Sequence, residues 1–268
     1  GNGTGTITPG AVTLASGETA SFQVTPGTGS SLATISGCDG SLDGTTYTTG
    51  PITAACTVSA SFSLNTYDVT ATAGTGGVIT PGLTTVEYGS TASFTVTPDT
   101  GYSISEVTGC GGSLDGQTYT TGPITGACSV TATFALNTYE VTATAGTGGG
   151  INPTLTTVEH GSTTSFNVTP DTGYSISEVT GCGGSLQGQT YTTGPITAAC
   201  SVSATFVINT YEVTASAGAG GAISPLLTTV NYGATTSFTV TPDTGYSIAA
   251  VTGCGGGLEG QTYTTGPI

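Results

Sequence analysis

The chain contains no lysine, no arginine, no methionine and no tryptophan. Its 15 Asp and Glu residues are uncompensated, a single histidine is present, and the formal net charge is −15. Phosphate is bound chiefly through Lys and Arg, so nucleic acid is not an expected partner. Without a polybasic segment, anionic membrane surfaces are disfavoured too. No apolar run approaches the length of a membrane span, so membrane insertion is not expected, and no signal peptide is visible. Residue 1 is therefore not expected to be the natural start. The missing lysines also exclude Lys–Asn isopeptide crosslinks. What is abundant is glycine, 45 residues, and with 12 prolines it recurs at fixed places, as turns in a folded domain do.

The fixed places come from a repeat. Residues 108–134 (TGCGGSLDGQTYTTGPITGACSVTATF) recur almost unchanged at 180–206, more loosely at 36–62, and cut short at 252–268. Cys38, Cys110, Cys182 and Cys254 follow at intervals of 72 residues, and so do Cys56, Cys128 and Cys200. A register that never slips marks a tandem array of one domain. The units are repeat 1 (1–64, without its opening strand), repeat 2 (65–136), repeat 3 (137–208) and repeat 4 (209–268, without its closing strand).

Zinc sites usually bring four ligands with closely spaced cysteine pairs. Two Cys per unit favour a disulfide over free buried thiols, with the pairs Cys38–Cys56, Cys110–Cys128 and Cys182–Cys200. Cys254 has no partner within the chain. Disulfides of this kind place a protein outside the cytoplasm. A 72-residue unit has a thin core that a crosslink reinforces.

Repeat 2 shows the internal pattern. Tyr67, Val69, Ala71 and Ala73 alternate with Asp68, Thr70 and Thr72, the period of a half-buried strand. Short strands are expected at 78–80, 84–88 with Val86 and Tyr88 inward, and 91–97 with Phe94 and Val96 inward. Residues 102–107 start as a strand and change phase between Ile104 and Val107, which calls for a bulge or a helical turn. In the crosslinked loop, Leu114, Tyr119 and Ile124 are the expected apolar anchors. The closing strand, 128–134, points Cys128, Val130, Ala132 and Phe134 inward. No window carries a helical period. The fold class is all-β, a tandem array of small domains with five or six short strands each. The joints between units are only one to three residues long, so the array is expected to be stiff.

These residues carry a resemblance. A first strand like YDVTATA, a GG turn into an I-x-P segment, V-x-YG, SF-x-VTP, GYSI-x-x-V and a closing strand ending in A-x-F resemble the divergent internalin-type B-repeat of bacterial surface proteins. The likeness covers essentially the whole chain. It implies small β-rich domains, β-grasp-like or sandwich-like, strung along secreted or cell-surface proteins as spacer or adhesive stalk, with no catalytic residues. The paired cysteines and the absence of bases depart from the family's commonest form.

Other constellations have plain readings. His160 stands where the neighbouring units have Tyr88 and Tyr232 and reads as a tyrosine replacement at a strand end. Glu87, Asp99, Glu106 and Asp115 read as a solvated face. Cofactors are not expected; weak calcium at the joints, through Asp68, Glu140 or Glu212, is the one metal reading left open. GTGG and GCGG are turns, since they lack the lysine and helix of a phosphate cradle.

The leading functional expectation is an extracellular structural repeat protein, a stalk, fibre or filament shaft on or from a bacterial cell, and not an enzyme. Its partners are neighbouring repeats of the same or identical chains. The rival is an adhesive module that recognises glycan or a host surface protein through the loops bearing Tyr47, Tyr119, Tyr191 and Tyr263. A third reading is the accessory repeat region of an enzyme. Exposed tyrosines favour adhesion and buried ones a shaft. Two readings of the chain ends stay open: an excerpt of a longer chain, which is favoured, and strand exchange between head-to-tail subunits.

Overall fold

A computed structural model describes residues 2–268, and among them every regular element is a β-strand. The chain divides into two compact units, one ending at Asn137 and the other beginning at Thr138.

Repeat 2, in the first unit, has eight strands: β1 (Thr66–Ala73), β2 (Gly77–Thr80), β3 (Leu83–Glu87), β4 (Ser93–Pro98), β5 (Tyr102–Thr108), β6 (Ser113–Asp115), β7 (Thr118–Thr120) and β8 (Cys128–Leu136). They form two four-stranded sheets, in the orders β5-β8-β1-β3 and β6-β7-β4-β2. The first and last strands of the repeat lie side by side and parallel, with Cys128 opposite Val69 and Ala132 opposite Ala73. All other pairings are antiparallel. The parallel pair lies at the centre of a mixed sheet, and the second sheet makes the repeat a sandwich.

Alternation explains the layers. Val69 and Ala71 of β1 are buried, while Asp68, Thr70 and Thr72 are exposed. Val130 and Ala132 of β8 are wholly buried and Ser129, Thr131 and Thr133 exposed. Against this face the second sheet turns Ile79, Phe94, Val96 and Tyr119, and one core results. Phe94 and Val96 are 1 % and 0 % exposed, as their phase requires. The change of phase in β5 is a bulge: Ile104 faces Phe134 and Glu106 faces Thr133, so Ser105 is the extra residue. Ile104 and Val107 thereby pack on the same core.

Three expectations need correction. The strands number eight, because the crosslinked loop folds its own hairpin, β6 and β7, around Gly116-Gln117. Leu114 does not anchor that loop; it is 37 % exposed on the short edge strand. Ala73 is exposed as well, at the C-terminal end of β1.

Repeat 3, in the second unit, builds the same pair of four-stranded sheets with Phe166, Val168, Tyr191 and Val202 at its core. Repeats 1 and 4 each pair one four-stranded sheet with one of only two strands. In repeat 1 the small sheet is Ser30–Ser36 with Ser59–Leu64; in repeat 4 it is Thr210–Thr214 with Leu227–Asn231.

Candidate functional site

The repeated constellation is the crosslinked loop. Between β5 and β6 of repeat 2 the chain reverses through Gly109, Cys110 and Gly111, all at positive φ. Gly109 is required there: a Cβ would run into the carbonyl of Ser129 and the Cα of Val130. Cys110 itself has φ of 50°, a left-handed conformation that costs a non-glycine residue about 1–2 kcal/mol. Cys110 is bonded to Cys128 at the start of β8, with Cα atoms 5.7 Å apart. Cys182 bonds Cys200 at 5.7 Å and Cys38 bonds Cys56 at 5.5 Å. Cys254 is free and exposed, yet its φ is 46°, so the turn forms without the crosslink.

A second lock lies beside each disulfide. Tyr119 is 1 % exposed, and its hydroxyl donates to the carbonyl of Gly109 at 2.6 Å. Tyr47 and Tyr191 do the same to Gly37 and Gly181, and Tyr263 donates to Gly253. The tyrosines expected on loops thus sit on strands with their rings in the core. A third lock went unread in the sequence. Thr121 is 3 % exposed and its Oγ1 accepts from the Ala92 N–H at 2.9 Å, while its own N–H donates to the Ala92 carbonyl. Thr49, Thr193 and Thr265 repeat this pairing. Tyr119→Phe is expected to cost about 1 kcal/mol, the worth of one such bond, and thermal melts would read it as a small downward shift. An unchanged melt would mean that the carbonyl is satisfied by water.

The joints form the other recurring arrangement. Between repeats 1 and 2, the Asn65 N–H donates to the Gly29 carbonyl at 2.8 Å, and the Tyr88 N–H donates to the Asn65 carbonyl at 2.8 Å. Ser31 Oγ donates to Asn65 Oδ1 at 2.5 Å. The Tyr88 ring lies over Gly29, occupying the space that a Cβ would need. Between repeats 3 and 4 the same set appears on Asn209, Gly173, Ser175 and Tyr232.

His160 ends the strand Leu155–Glu159 and stacks 6.0 Å from Tyr139 at a tilt of 54°, as Tyr88 does on Tyr67 at 6.5 Å and 54°. Its Nδ1 is buried without a hydrogen-bond partner. Asp68 accepts from Thr85 Oγ1 at 2.6 Å. No three metal-ligating side chains converge among the described residues. In repeat 4 a cavity of about 540 Å³ is lined by residues including Val213, Phe238, Val251 and Cys254.

Repeated two-sheet β-domains, each built on one Cys–Gly turn, define a tandem-repeat protein. The family model of the divergent InlB B-repeat domain matches residues 67–138, 139–210 and 211–266, and the chain belongs to that family. It is a family of bacterial surface repeats, not typically enzymatic. No curated protein matches the chain. Among solved structures it is similar to the Bacillus anthracis TIE protein, at 9% identity and a TM-score of 0.34, over 95% of this chain and 58% of that one. The chain thus spans little more than half the length of that structure.

Proposed function

We propose that the chain is a spacer segment of an extracellular stalk, fibre or filament shaft on a bacterial surface. Its work is mechanical: each repeat holds its shape, and the joint at Asn65 sets the distance and angle from repeat 1 to repeat 2. The observation that carries this reading is the joint itself. A linker meant to bend would leave Asn65 free, but its N–H, carbonyl and side chain are all hydrogen-bonded, and Tyr88 closes on Gly29. The buried tyrosines support the same reading, because an adhesive surface would have to be assembled from other residues. The uncompensated acidic charge keeps such a surface hydrated and non-associating.

Distance distributions between spin labels placed on repeats 1 and 2 test the joint. The intact chain is expected to give one narrow peak. Tyr88→Ala, which removes the ring from Gly29, is expected to broaden it while repeat 2 stays folded. A broad distribution in the unaltered chain would mean a flexible string and would defeat the spacer reading.

A further inference from the structure

Asp-Gly pairs occur at 39–40, 43–44 and 115–116, and the fold sets them in two different environments. Asp39-Gly40 belongs to the cysteine turn of repeat 1. There the Gly40 N–H donates to the Gly37 carbonyl at 3.3 Å. A Cβ on Gly40 would run into the Thr48 carbonyl and the Tyr47 ring, so the backbone is packed in place. The turn is further tied by the Tyr47 hydroxyl on Gly37 and by the Cys38–Cys56 bond. Asp115-Gly116 instead stands at the tip of the small hairpin. Asp115 ends the edge strand β6, Gly116 opens the turn at φ of 59°, and both are exposed. A Cβ on Gly116 would meet only open space. Among the described residues neither the Gly116 N–H nor the Asp115 carboxylate has a hydrogen-bond partner. The tip is held at its other corner, where the Gln117 carbonyl accepts from the Val96 N–H at 2.8 Å. Asp43-Gly44 repeats this exposed tip, with Gly44 at 58°. Repeats 3 and 4 keep the turn, with Gly188 and Gly260 at 61° and 60°, but carry Gln187 and Glu259 before it.

We propose that Asp43 and Asp115 are modification sites, converted spontaneously to isoaspartate in the folded chain, and that Asp39 is protected. The Gly116 nitrogen attacks Cγ of Asp115. An N–Cγ bond forms, a carboxyl C–O bond breaks, and that oxygen leaves as water with the amide hydrogen and a proton from solvent. A second water reopens the five-membered succinimide. Where it attacks the main-chain carbonyl of Asp115, the C–N bond there breaks. The main chain then runs through Cγ, and the former carbonyl carbon becomes a free carboxylate. The attack requires the peptide to turn its nitrogen toward the neighbouring carboxyl. Glycine, with no Cβ in the way, leaves the tip free to do this. The locked cysteine turn around Gly40 opposes it. Gln187 and Glu259 have one more methylene and would have to close a six-membered ring. The product has the mass and charge of the parent but one more main-chain atom at the end of β6. That strand lies at the edge of its sheet, laddered to β7 alone, so the change loosens the hairpin beside Tyr119. The mark therefore falls on repeats 1 and 2 and spares repeats 3 and 4.

Ageing the 268-residue chain for weeks in warm neutral buffer, followed by isoaspartate-specific methyl labelling and peptide mapping, reads the proposal. Label is expected to appear at Asp43 and Asp115 at least about tenfold faster than at Asp39, a barrier difference of about 1.4 kcal/mol. In denaturant the three Asp-Gly pairs are expected to label at nearly equal rates. Asp115→Gln is expected to abolish the label in repeat 2, and Gln187→Asp to create it in repeat 3 at the rate of Asp115. Equal labelling of Asp39 and Asp115 in the folded chain would overturn the proposal. So would an Asp115 that labels in denaturant alone, or a Gln187→Asp chain without label in repeat 3. A difference between Asp39 and Asp115 that persists in denaturant would place its cause outside the fold and overturn it as well.

Discussion

Phe166→Ala is expected to destabilise repeat 3 by about 3–5 kcal/mol, the range for truncating a buried aromatic residue in a packed core. Phe166 is fully buried and stands directly opposite Tyr191 in the sheet. Its neighbours in the core include Val141 and Val202 of the parallel pair in the opposite sheet. Losing the ring leaves a hole between the layers that β-strands tied by ladders on both sides cannot easily close. Whole-domain stabilities are about 5–15 kcal/mol, so this one change removes a large part of what a 72-residue repeat has. Phe94 in repeat 2 is 1 % exposed, faces Tyr119, and is expected to behave alike. Denaturant melts followed by repeat-resolved hydrogen exchange would place the loss in repeat 3. A midpoint close to that of the unaltered chain would mean that the two sheets do not meet through Phe166.

Replacing Cys182 and Cys200 together by serine is expected to cost the same repeat about 3 kcal/mol, from the loop-closure entropy that a bridge of this span removes from the unfolded chain. The bond joins residues 18 apart in sequence, and it ties the turn before the small hairpin to the first residue of the closing strand. The turn should survive, because Cys254 adopts the same left-handed conformation without a partner. The native sheets are therefore expected to persist in the double serine variant at lower stability. Melts under oxidising conditions would show the loss, and peptide mapping without reductant would verify the bond in the parent chain. A variant as stable as the parent would show that the bond adds nothing to the two hydrogen-bonded locks around it.

Much of this was legible in the sequence, and the reason is length of pattern. The opening strand Thr66–Ala73 and the closing strand Cys128–Leu136 are long enough to show several periods of alternation, so their inward faces could be read directly. Even the bulge at Ser105 left a trace, as two apolar residues three positions apart. The hairpin inside the crosslinked loop was not legible in the same way. Ser113–Asp115 and Thr118–Thr120 hold three residues each, too few for a period to stand out. The available signal was Gly116, a glycine at the first position of the two-residue turn Gly116-Gln117, flanked by Leu114 and Tyr119. Missing it made Tyr119 look like a loop residue free to bind something, when it is a core residue with its hydroxyl satisfied.

Thr121 was hidden for a different reason. Nothing in a threonine among threonines distinguishes the one whose hydroxyl caps a buried backbone N–H from those that face water. The joints were half visible. Their shortness and the recurrent asparagine could be read, but the contact of Tyr88 with Gly29 joins residues far apart in sequence and belongs to the assembled repeats. The parallel neighbourhood of the first and last strands is likewise a property of the folded topology, since each strand alone carries only alternation.

Stretching the single chain by force, in oxidising and then in reducing buffer, tests the central claim that each repeat is a separately folded, separately locked mechanical element. Repeats 2 and 3 are expected to open in discrete steps of nearly equal length. Under oxidising conditions each step should fall short by the segment that the disulfide holds closed, 18 residues in either repeat, or about 60 Å at the extended rise per residue. Reduction should restore that length to every step. A smooth extension without steps, or steps of unchanged length after reduction, would contradict the account.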